Sequence, residues 1–303
     1  MTRPIVTVGN FDGVHRGHRA ILETVVTRAR DLAGQAVVYT FDPHPRKVLV
    51  PDRAPRLLTT LDQKIELLEQ AGVNAVIVEP FTVEFAKTPP ERFIRDYLHD
   101  RIRPVEVYVG YDFHFGRDRV GSMRMLTEMG PRLGFSVTII PEVTMDGGDV
   151  NSTRIRQLLA EARLEQAADM LGRIYSVRGR VVEGERRGRT LGFPTANLDP
   201  DNEVLPGAGV YAGELRFLDP GKPALGQRLP AVINVGTRPT FHDVKGIMAE
   251  AHLIDFDGNL YGRRVELSFR YHLRPERRFS DVEALKKQIA ADVADGRRRL
   301  EVP

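Results

Sequence analysis

The amino-terminal turn of this chain reads Gly9-Asn10-Phe11-Asp12-Gly13-Val14-His15-Arg16-Gly17-His18. An apolar run at residues 5–8 precedes it and predicts a buried strand, and a helical pattern follows it as far as residue 32. Glycines let the backbone turn tightly and approach a ligand closely. The first turn of a helix also presents unpaired N–H groups to an anion. Residues 9–18, here called the amino-terminal turn, therefore predict a phosphate site.

Two histidines stand at the end of this turn. His15 and His18 are three residues apart, so we expect them on one side of the first helical turn. Near neutral pH such side chains can donate hydrogen bonds to a polyphosphate. A metal site is a weaker interpretation, because no third His, Cys or carboxylate stands nearby at ligand spacing. Because histidine pairs are also common on ordinary surfaces, the prediction depends on the whole turn.

The first half of the chain alternates strand-like and helix-like segments. Strands are predicted at residues 5–8, 36–40, 75–78, 105–109 and 136–140, and helices at 19–32, 62–71, 89–99 and 123–133. Gly34, Gly72 and Gly134 stand where helix C-caps are expected. Residues 151–171 predict two further helices. This order predicts an α/β doubly wound parallel sheet, whose ligands bind at the carboxyl ends of the strands, where the amino-terminal turn would lie.

The second half has a different pattern. Strands are predicted at residues 175–183, 210–217, 230–235, 249–254 and 264–273, separated by turn residues. This spacing predicts a small antiparallel β-barrel. A carboxyl-terminal helix is predicted from residue 280 to about residue 297, with Ser280 and Glu283 as its capping box. We therefore expect two domains, residues 1–171 and 172–303.

Composition narrows the class of protein. The 303 residues carry a net charge of +3, are 42% hydrophobic and include no cysteine, so disulfide and thiolate chemistry are excluded. We expect a cytoplasmic protein without a membrane partner, since no signal-peptide pattern and no membrane-length apolar run is seen. Arginine clusters occur, but their few aromatic neighbours disfavour a nucleic-acid surface. Small phosphorylated ligands are the expected partners, and the oligomeric state is not defined.

Further motifs in the first half complement the amino-terminal turn. Phe41-Asp42-Pro43-His44-Pro45 follows the second predicted strand, and Asp112 follows the fourth. The segment Asn151-Ser152-Thr153-Arg154-Ile155-Arg156 begins a helix with hydroxyl groups and adds an arginine one turn later, which predicts a second phosphate site. Taken singly, Ser152 and Thr153 are ordinary N-caps and Asp112 is a turn former. Their common position at one edge of the predicted sheet favours a ligand site.

These motifs resemble the amino-terminal module of bacterial bifunctional riboflavin kinase/FAD synthetases, which are nucleotidylyltransferase-like proteins with a Rossmann-type sheet. The HxGH motif of that superfamily matches His15-Arg16-Gly17-His18, and its (S/T)-S-T-x-x-R motif matches residues 151–156, with Asn151 replacing the usual residue. The resemblance implies catalytic roles for His15, His18 and Arg156. It implies binding of ATP or its acceptor by Gly9, Asn10, Phe11, Asp12, His15, His18, Asp112, Ser152, Thr153 and Arg156.

The richest stretch of the second half joins a basic glycine-rich loop, residues 184–190, to Leu191-Gly192-Phe193-Pro194-Thr195-Ala196-Asn197. Thr195 and Asn197 offer neutral oxygens on one face of an extended segment, which suits Mg²⁺ beside ATP phosphates. By itself, Pro-Thr-Ala-Asn also fits an ordinary barrel loop. The motifs that follow, at residues 207–211, 234–241 and 250–254, make the whole series similar to the riboflavin kinase domain.

The resemblance of the second half implies that Gly192, Thr195 and Asn197 bind Mg²⁺-ATP, with Thr195 and Asn197 as metal ligands. It also implies that Glu250 is the catalytic base. Riboflavin's ribityl hydroxyl is far from ionised at neutral pH, so a positioned carboxylate would assist phosphoryl transfer to it. Arg238 stands where that family often has Asn.

The resemblance of both halves implies one enzyme that converts riboflavin to FMN and FMN to FAD, each step using ATP and Mg²⁺. The phosphate of FMN is already largely ionised at neutral pH, so adenylyl transfer to it needs positioning and charge neutralisation more than a base. One alternative keeps the first module but gives it another phosphorylated acceptor, which would leave Glu250 without a task. A second alternative is a flavin- or nucleotide-sensing regulator, for which intact His15 and His18 would be unnecessary.

Overall fold

The apolar runs of the first 140 residues form a five-stranded parallel sheet in the order β3-β2-β1-β4-β5. Its strands are β1 (Pro4–Val8), β2 (Gln35–Asp42), β3 (Ala75–Pro80), β4 (Glu106–Gly110) and β5 (Ser136–Ile140). The structure is a computed structural model that describes residues 1–145, 148–184, 188, 191–221, 224–237 and 247–301. The central strand β1 pairs in parallel with β2 on one side and β4 on the other, so the order in which strands are added to the sheet reverses at β1.

Helices cover both faces of this sheet. They are α1 (Arg16–Asp31), α2 (Pro45–Leu49), α3 (Leu61–Gln70), α4 (Val83–Ala86), α5 (Pro90–Arg92) with a π-helix (Phe93–Asp100) after it, and α6 (Met123–Arg132). Ile5 of β1 packs with Val25 of α1, whereas its neighbour Val6 packs with Leu98 of the π-helix. Because successive strand residues point to opposite faces, β1 is buried throughout. The predicted doubly wound sheet is confirmed.

The helix ends agree with the prediction at two of three glycines. Gly72 and Gly134 adopt φ values of 90° and 88°, the left-handed conformation that a glycine C-cap supplies. The prediction for Gly34 is wrong, because Ala33 takes the positive φ of 47° after α1. A Cβ on Gly34 would lie 2.3 Å from the carbonyl oxygen of Arg3, so glycine is required there by a close backbone approach.

The second half forms a closed antiparallel barrel in the order β10-β11-β12-β9-β8-β13. Its strands are β8 (Tyr175–Val182), β9 (Ala196–Pro200), β10 (Gly209–Phe217), β11 (Arg228–Thr237), β12 (Ile247–Leu253) and β13 (Arg264–Pro275), and a two-stranded hairpin, β6 (Thr144–Met145) and β7 (Gly148–Asp149), precedes them. The predicted barrel is confirmed, but β9 was not predicted as a strand. The polar residues Asn197 and Asp199 interrupt its apolar residues, so this short segment lacks the apolar run by which a strand is recognised in the sequence.

Three helices accompany the barrel in sequence, α7 (Ser152–Ala160), α8 (Leu164–Leu171) and α9 (Val282–Arg299). The predicted capping box of α9 is wrong. Asp281 is the N-cap, since its carboxylate accepts a hydrogen bond of 2.8 Å from the N–H of Ala284, while the hydroxyl of Ser280 donates to that same carboxylate. A charged acceptor binds the end of the helix more strongly than a hydroxyl.

The chain divides into two compact units, Met1–Ser152 and Thr153–Pro303. Most of α7 and all of α8 therefore belong to the second unit, whereas the sequence pattern placed residues 151–171 with the first domain. The domain boundary after residue 171 stays a prediction. Among the described residues, no helix is both long enough and apolar enough to cross a membrane.

A buried ion pair fastens α9 to the barrel. The guanidinium of Arg274 on β13 donates to both carboxylate oxygens of Asp292, over 2.8 to 3.0 Å, and these side chains are 17% and 7% exposed. We expect Asp292→Ala to lower the free energy of unfolding by about 3 kcal/mol, since it leaves a buried cation unpaired. Denaturant unfolding measures this change.

The matched control is Arg297→Met, which removes the more exposed pair between α9 and Asp255. We expect a loss below about 1 kcal/mol from that change. Equal effects of the two substitutions would contradict the assignment of Arg274 and Asp292 as the main polar tie of α9.

Candidate active sites

The amino-terminal turn lies at the carboxyl end of β1 and is held there by its own backbone. The N–H of Gly9 donates to the carbonyl oxygen of Tyr39 on β2 over 3.0 Å. Phe11, Gly13 and Val14 all adopt positive φ values, of 51°, 80° and 38°. The ring of Phe11 is 1% exposed and packs in the core beside α1, so it anchors the turn. Only the backbone of Phe11 is therefore placed to meet a ligand.

Asp12 ties the same turn to the segment that precedes α3. One carboxylate oxygen, Oδ1, accepts from the N–H groups of Leu58 and Thr59 over 2.9 and 3.3 Å. The N–H of Gly13 donates to the hydroxyl of Thr59 over 3.2 Å. Since Asp12 is 6% exposed, its carboxylate shapes the turn from within, while the side chain of Asn10 is exposed.

The two histidines begin α1 as a stacked pair. His15 is the N-cap, and its Nδ1 accepts a hydrogen bond of 3.3 Å from the N–H of His18. Their ring centroids are 3.7 Å apart, with 19° between the ring planes. Because Nδ1 of His15 is an acceptor, the neutral ring carries its proton on Nε2, where it can be donated to an anion. The helix therefore starts with imidazole groups gathered at its positive end.

Gly17 and Ser152 bring a distant segment to this helix end. A Cβ on Gly17 would lie 3.1 Å from the ring of His15 and 3.2 Å from the carbonyl oxygen of Val150. The hydroxyl of Ser152 donates to the carbonyl oxygen of Asp12 over 3.0 Å. The structure thus joins Ser152 to the amino-terminal turn, as the common edge predicts.

The remaining predicted residues of the first half are placed as follows. Thr153 and Arg156 lie in the second compact unit on α7, one residue and four residues after Ser152. Asp112 is exposed in the turn after β4, where its carbonyl oxygen lies 2.8 Å from Nδ1 of His114. The loop after β2 contains a cis peptide bond between Asp42 and Pro43. Since β2 and β4 flank β1, both loops border the amino-terminal turn at the carboxyl edge.

Lys64 is a residue of this edge that sequence reasoning missed. Its Nζ, on α3, lies 3.4, 3.2 and 3.3 Å from the carbonyl oxygen of Asn10, the hydroxyl of Thr40 and the carbonyl oxygen of Phe41. Burial lowers the pKa of its ammonium from the ordinary value, while Asp42 and Asp12 act in the opposite direction. The sequence signal that could have revealed it is a lysine four residues before the buried Leu68, on the apolar face of an amphipathic helix.

In the barrel, strand register assembles a polar row from three strands. Glu250 of β12 lies opposite Asn197 of β9 on one side and Asn234 of β11 on the other. The row faces outward, since Ala249 and Ala251, the neighbours of Glu250, are fully buried on the inner face. Directly opposite residues have Cβ atoms about 5 Å apart. Asn234 begins the motif at residues 234–241, but only the strand register reveals that it adjoins Glu250.

Asn197 is the most enclosed member of this row. It is 5% exposed, and its Oδ1 atom has no hydrogen-bond partner within the described residues. A Cβ on Gly184 would lie 2.2 Å from the Nδ2 atom of Asn197, so the backbone approaches the amide closely there. Glu250 is half-buried. Buried polar atoms are nearly always paired, so this oxygen beside a carboxylate is a candidate to bind a ligand or a metal ion.

The segment before Asn197 borders a cleft of about 440 Å³. Thr195 lines it together with Ala196, Ala251 and the loop from Phe256 to Tyr261. Gly192 makes its turn with a φ of +87°, and the carbonyl oxygen of Pro194 lies 2.9 Å from Nδ1 of His252. The other residues of the basic loop, 185–187, 189 and 190, and the segment 238–246 with Arg238, lie outside the described residues. In the part of the chain that is described, no group of three or more His, Cys, Asp or Glu side chains is arranged so that it could hold a metal ion.

Comparison with known proteins matches both halves. The family model for FAD synthetase matches residues 1–154, and the family model for riboflavin kinase matches residues 171–300. A bifunctional riboflavin kinase/FMN adenylyltransferase of Escherichia coli (strain K12) is 39% identical over 289 residues, 95% of this chain and 90% of that protein. The protein of the same description from Pseudomonas fluorescens is 39% identical over 293 residues, 97% of this chain and 92% of that protein.

A solved structure shares the fold over nearly the full length. It is described as a macrolide-efflux protein from Streptococcus pneumoniae, with a TM-score of 0.85, 28% identity, and coverage of 98% of this chain and 95% of that one. Both family models and the curated relatives agree on the same pair of domains. With an FAD synthetase domain followed by a riboflavin kinase domain, this chain belongs to the bifunctional riboflavin kinase/FMN adenylyltransferase family.

Proposed function

We propose that the barrel phosphorylates riboflavin with ATP and that the parallel-sheet domain adenylylates the resulting FMN with a second ATP. In this proposal residues 1–171 form the adenylyltransferase and residues 172–303 the kinase, in a cytoplasmic enzyme that acts on small molecules without a nucleic-acid or membrane partner. The observation that carries it is the stacked pair of His15 and His18 at the start of α1, with Ser152 bound to the same turn.

In adenylyl transfer, an oxygen of the FMN phosphate attacks the α-phosphorus of ATP. The bond from that phosphorus to the bridging oxygen breaks, and pyrophosphate leaves with the electron pair. The α1 N-terminus and Nε2 of His15 and His18 would neutralise the developing charge, and Thr153 and Arg156 would hold the leaving phosphates. Gly9, Asn10 and Phe11 would offer backbone to the nucleotide, Asp12 would fix their conformation, and Asp112 would approach the acceptor.

In phosphoryl transfer, the ribityl hydroxyl oxygen of riboflavin attacks the γ-phosphorus of ATP and ADP leaves. Glu250 would take the hydroxyl proton on its carboxylate as the new O–P bond forms. Its half-buried position in the polar row supports this role, because the neighbouring Asn197 and Asn234 are polar but carry no competing charge. Gly192 would shape the turn that leads Thr195 to the nucleotide.

The donor set of the barrel fits Mg²⁺. The buried Oδ1 of Asn197 and the hydroxyl of Thr195 are neutral oxygens of the kind that hold Mg²⁺ together with phosphate groups. We infer that these two residues hold the ion, which would supply charge neutralisation to the phosphates of ATP. The large cleft beside Thr195 has room for a nucleoside.

The decisive experiment incubates the purified chain with riboflavin, ATP and Mg²⁺ and separates the products by chromatography. We expect FMN to appear first and FAD after it, with ADP and pyrophosphate as co-products. A parallel incubation with FMN in place of riboflavin should yield FAD and pyrophosphate. The absence of FMN and FAD would refute the proposal, and FMN without FAD would leave the first module with a different acceptor.

Gly17→Ala tests the close packing at the histidine pair. The added Cβ would press on the ring of His15 and on the carbonyl oxygen of Val150. We expect FAD formation to fall about tenfold, as a small displacement of a phosphate-binding group costs rate. Thermal stability should change little, because the steric cost of the added Cβ is offset by the higher helix propensity of alanine, which exceeds that of glycine by about 1 kcal/mol. Riboflavin phosphorylation by the same chain is the control, and an unaltered FAD rate would argue against this role of His15.

A further inference from the structure

We propose that Lys64 is a positioning residue for FMN adenylylation, whose ammonium group joins the amino-terminal turn after β1 to the carboxyl end of β2. The inference deepens the proposed function of the first domain and rests on it. Lys64 is 8% exposed, although lysine is among the residues least often buried. It lies on α3, outside every motif of the phosphate site.

The contacts of Nζ define what the side chain connects. It lies 3.4 Å from the carbonyl oxygen of Asn10 in the amino-terminal turn and 3.3 Å from that of Phe41 at the end of β2. The hydroxyl of Thr40 lies 3.2 Å from Nζ and itself donates to Asn10 over 3.3 Å. One cation therefore links the amino-terminal turn to the last residues of β2 at the carboxyl edge of the sheet.

The surroundings of Nζ explain why a charged group is kept there. The side chain lines a small cavity of about 20 Å³ together with Asn10, Asp12, Asp42 and His44. The carboxylates of Asp12 and Asp42 favour the ammonium form, whereas burial opposes it. Burying an ammonium is unfavourable unless acceptors surround it, and an apolar side chain could fill the space without that cost. A lysine at this position is explained if the link between the amino-terminal turn and β2 serves the site.

The link acts on groups proposed to meet substrate. The carbonyl of Asn10 belongs to the amino-terminal turn. Two residues later in that turn, the carbonyl oxygen of Asp12 accepts a hydrogen bond from the hydroxyl of Ser152. Phe41 precedes the cis peptide bond between Asp42 and Pro43. Lys64 lies on α3 and belongs neither to the amino-terminal turn nor to β2, so it would set the spacing between them. A displacement of about 1 Å in a group that positions the reactants is enough to reduce the reaction rate by about 100-fold.

The test compares Lys64→Met and Lys64→Arg with the wild-type full chain. For Lys64→Met we expect the kcat of FAD formation from FMN to fall about 30- to 100-fold, with a KM for FMN within about threefold of wild type. Riboflavin phosphorylation by the same preparation should be unchanged, and Lys87→Met, at an exposed lysine of the same unit, should leave both activities intact. A wild-type kcat for FAD formation in folded Lys64→Met would overturn the inference.

A pH profile separates positioning by the ammonium from simple packing. Since burial lowers the pKa of Lys64 below 10.5, we expect FAD formation by the wild type to decline as pH rises through that pKa, when the third N–H donor is lost. Lys64→Arg keeps its charge at alkaline pH and should remove that decline, even if its rate at pH 7 is lower. If the rate of FAD formation by Lys64→Arg declined at alkaline pH as it does in the wild type, the proposal would be overturned. This test holds even if Lys64→Met fails to fold.

Failure of this inference is distinguishable from failure of the proposed function. If the wild type makes no FAD from FMN, ATP and Mg²⁺, the adenylyltransferase assignment itself is wrong. If the wild type makes FAD and the Lys64 variants make it equally fast with the same pH profile, only the role of Lys64 is wrong.

Discussion

Glu250→Gln is expected to lower the rate of FMN formation from riboflavin by about 10²–10⁴-fold, the usual contribution of a general base. Conversion of supplied FMN to FAD should proceed at the wild-type rate. The reason is that the ribityl hydroxyl must lose its proton during attack, and the amide of glutamine cannot accept it. Glutamine has nearly the same size and polarity, so the polar row should stay assembled.

Rates of ADP and FMN release with riboflavin as substrate measure this effect. Glu250→Ala should be at least as slow as Glu250→Gln, because it also removes the side chain from the row. The matched control is Glu214→Gln, at another half-buried strand glutamate of the barrel, which pairs with Arg228 and should leave the kinase active. Loss of both activities in a folded Glu250→Gln protein would contradict the division of labour between the domains.

His18→Ala is expected to have the reverse effect. FAD formation from FMN should fall by about 10²–10³-fold, which is the usual loss when a preorganised hydrogen-bond donor to the charge of the transition state is removed. Riboflavin phosphorylation should proceed at the wild-type rate. His18 is stacked on His15 at the start of α1, so its loss also removes support from the second imidazole. We expect FMN to accumulate when the variant is supplied with riboflavin and ATP.

The control for this variant is His99→Ala, at a half-buried histidine of the π-helix that lies beside Asp100. It should leave both rates within about twofold of wild type, since surface substitutions have small effects. Equal rates of FAD formation by His18→Ala and wild type would show that the histidine pair is an ordinary helix start rather than a phosphate site.

Much of the fold follows from local sequence pattern. The order of β1 to β5 with helices between them predicts the doubly wound sheet, because buried parallel strands are nearly continuous apolar runs. The short strand β9 was missed for the opposite reason. Asn197 and Asp199 reduce its apolar character, and its place in the barrel depends on pairing with β8 and β12 rather than on its own composition.

Among the helix ends, too, some follow from local sequence and others depend on tertiary contacts. The glycine caps at Gly72 and Gly134 are local backbone requirements and could be predicted. Gly34 looks the same in the sequence, but it is required by the carbonyl of Arg3, which only the folded chain brings close. Asp281 replaced Ser280 as the cap of α9, a shift of one residue within the normal uncertainty of helix ends.

The sequence by itself determined the kinds of elements, the two-part organisation and the chemical groups of each motif, since these depend on periodicity and on residue types close together in the chain. Tertiary structure alone decided that Asn197, Glu250 and Asn234 form one row, because strand register sets which residues lie opposite one another and a shift by one would turn them to the other face. It also decided that Lys64 meets Asn10 and Phe41. That contact depends on how α3 packs against the sheet, 54 residues along the chain from one partner and 23 from the other, a separation that local pattern does not span.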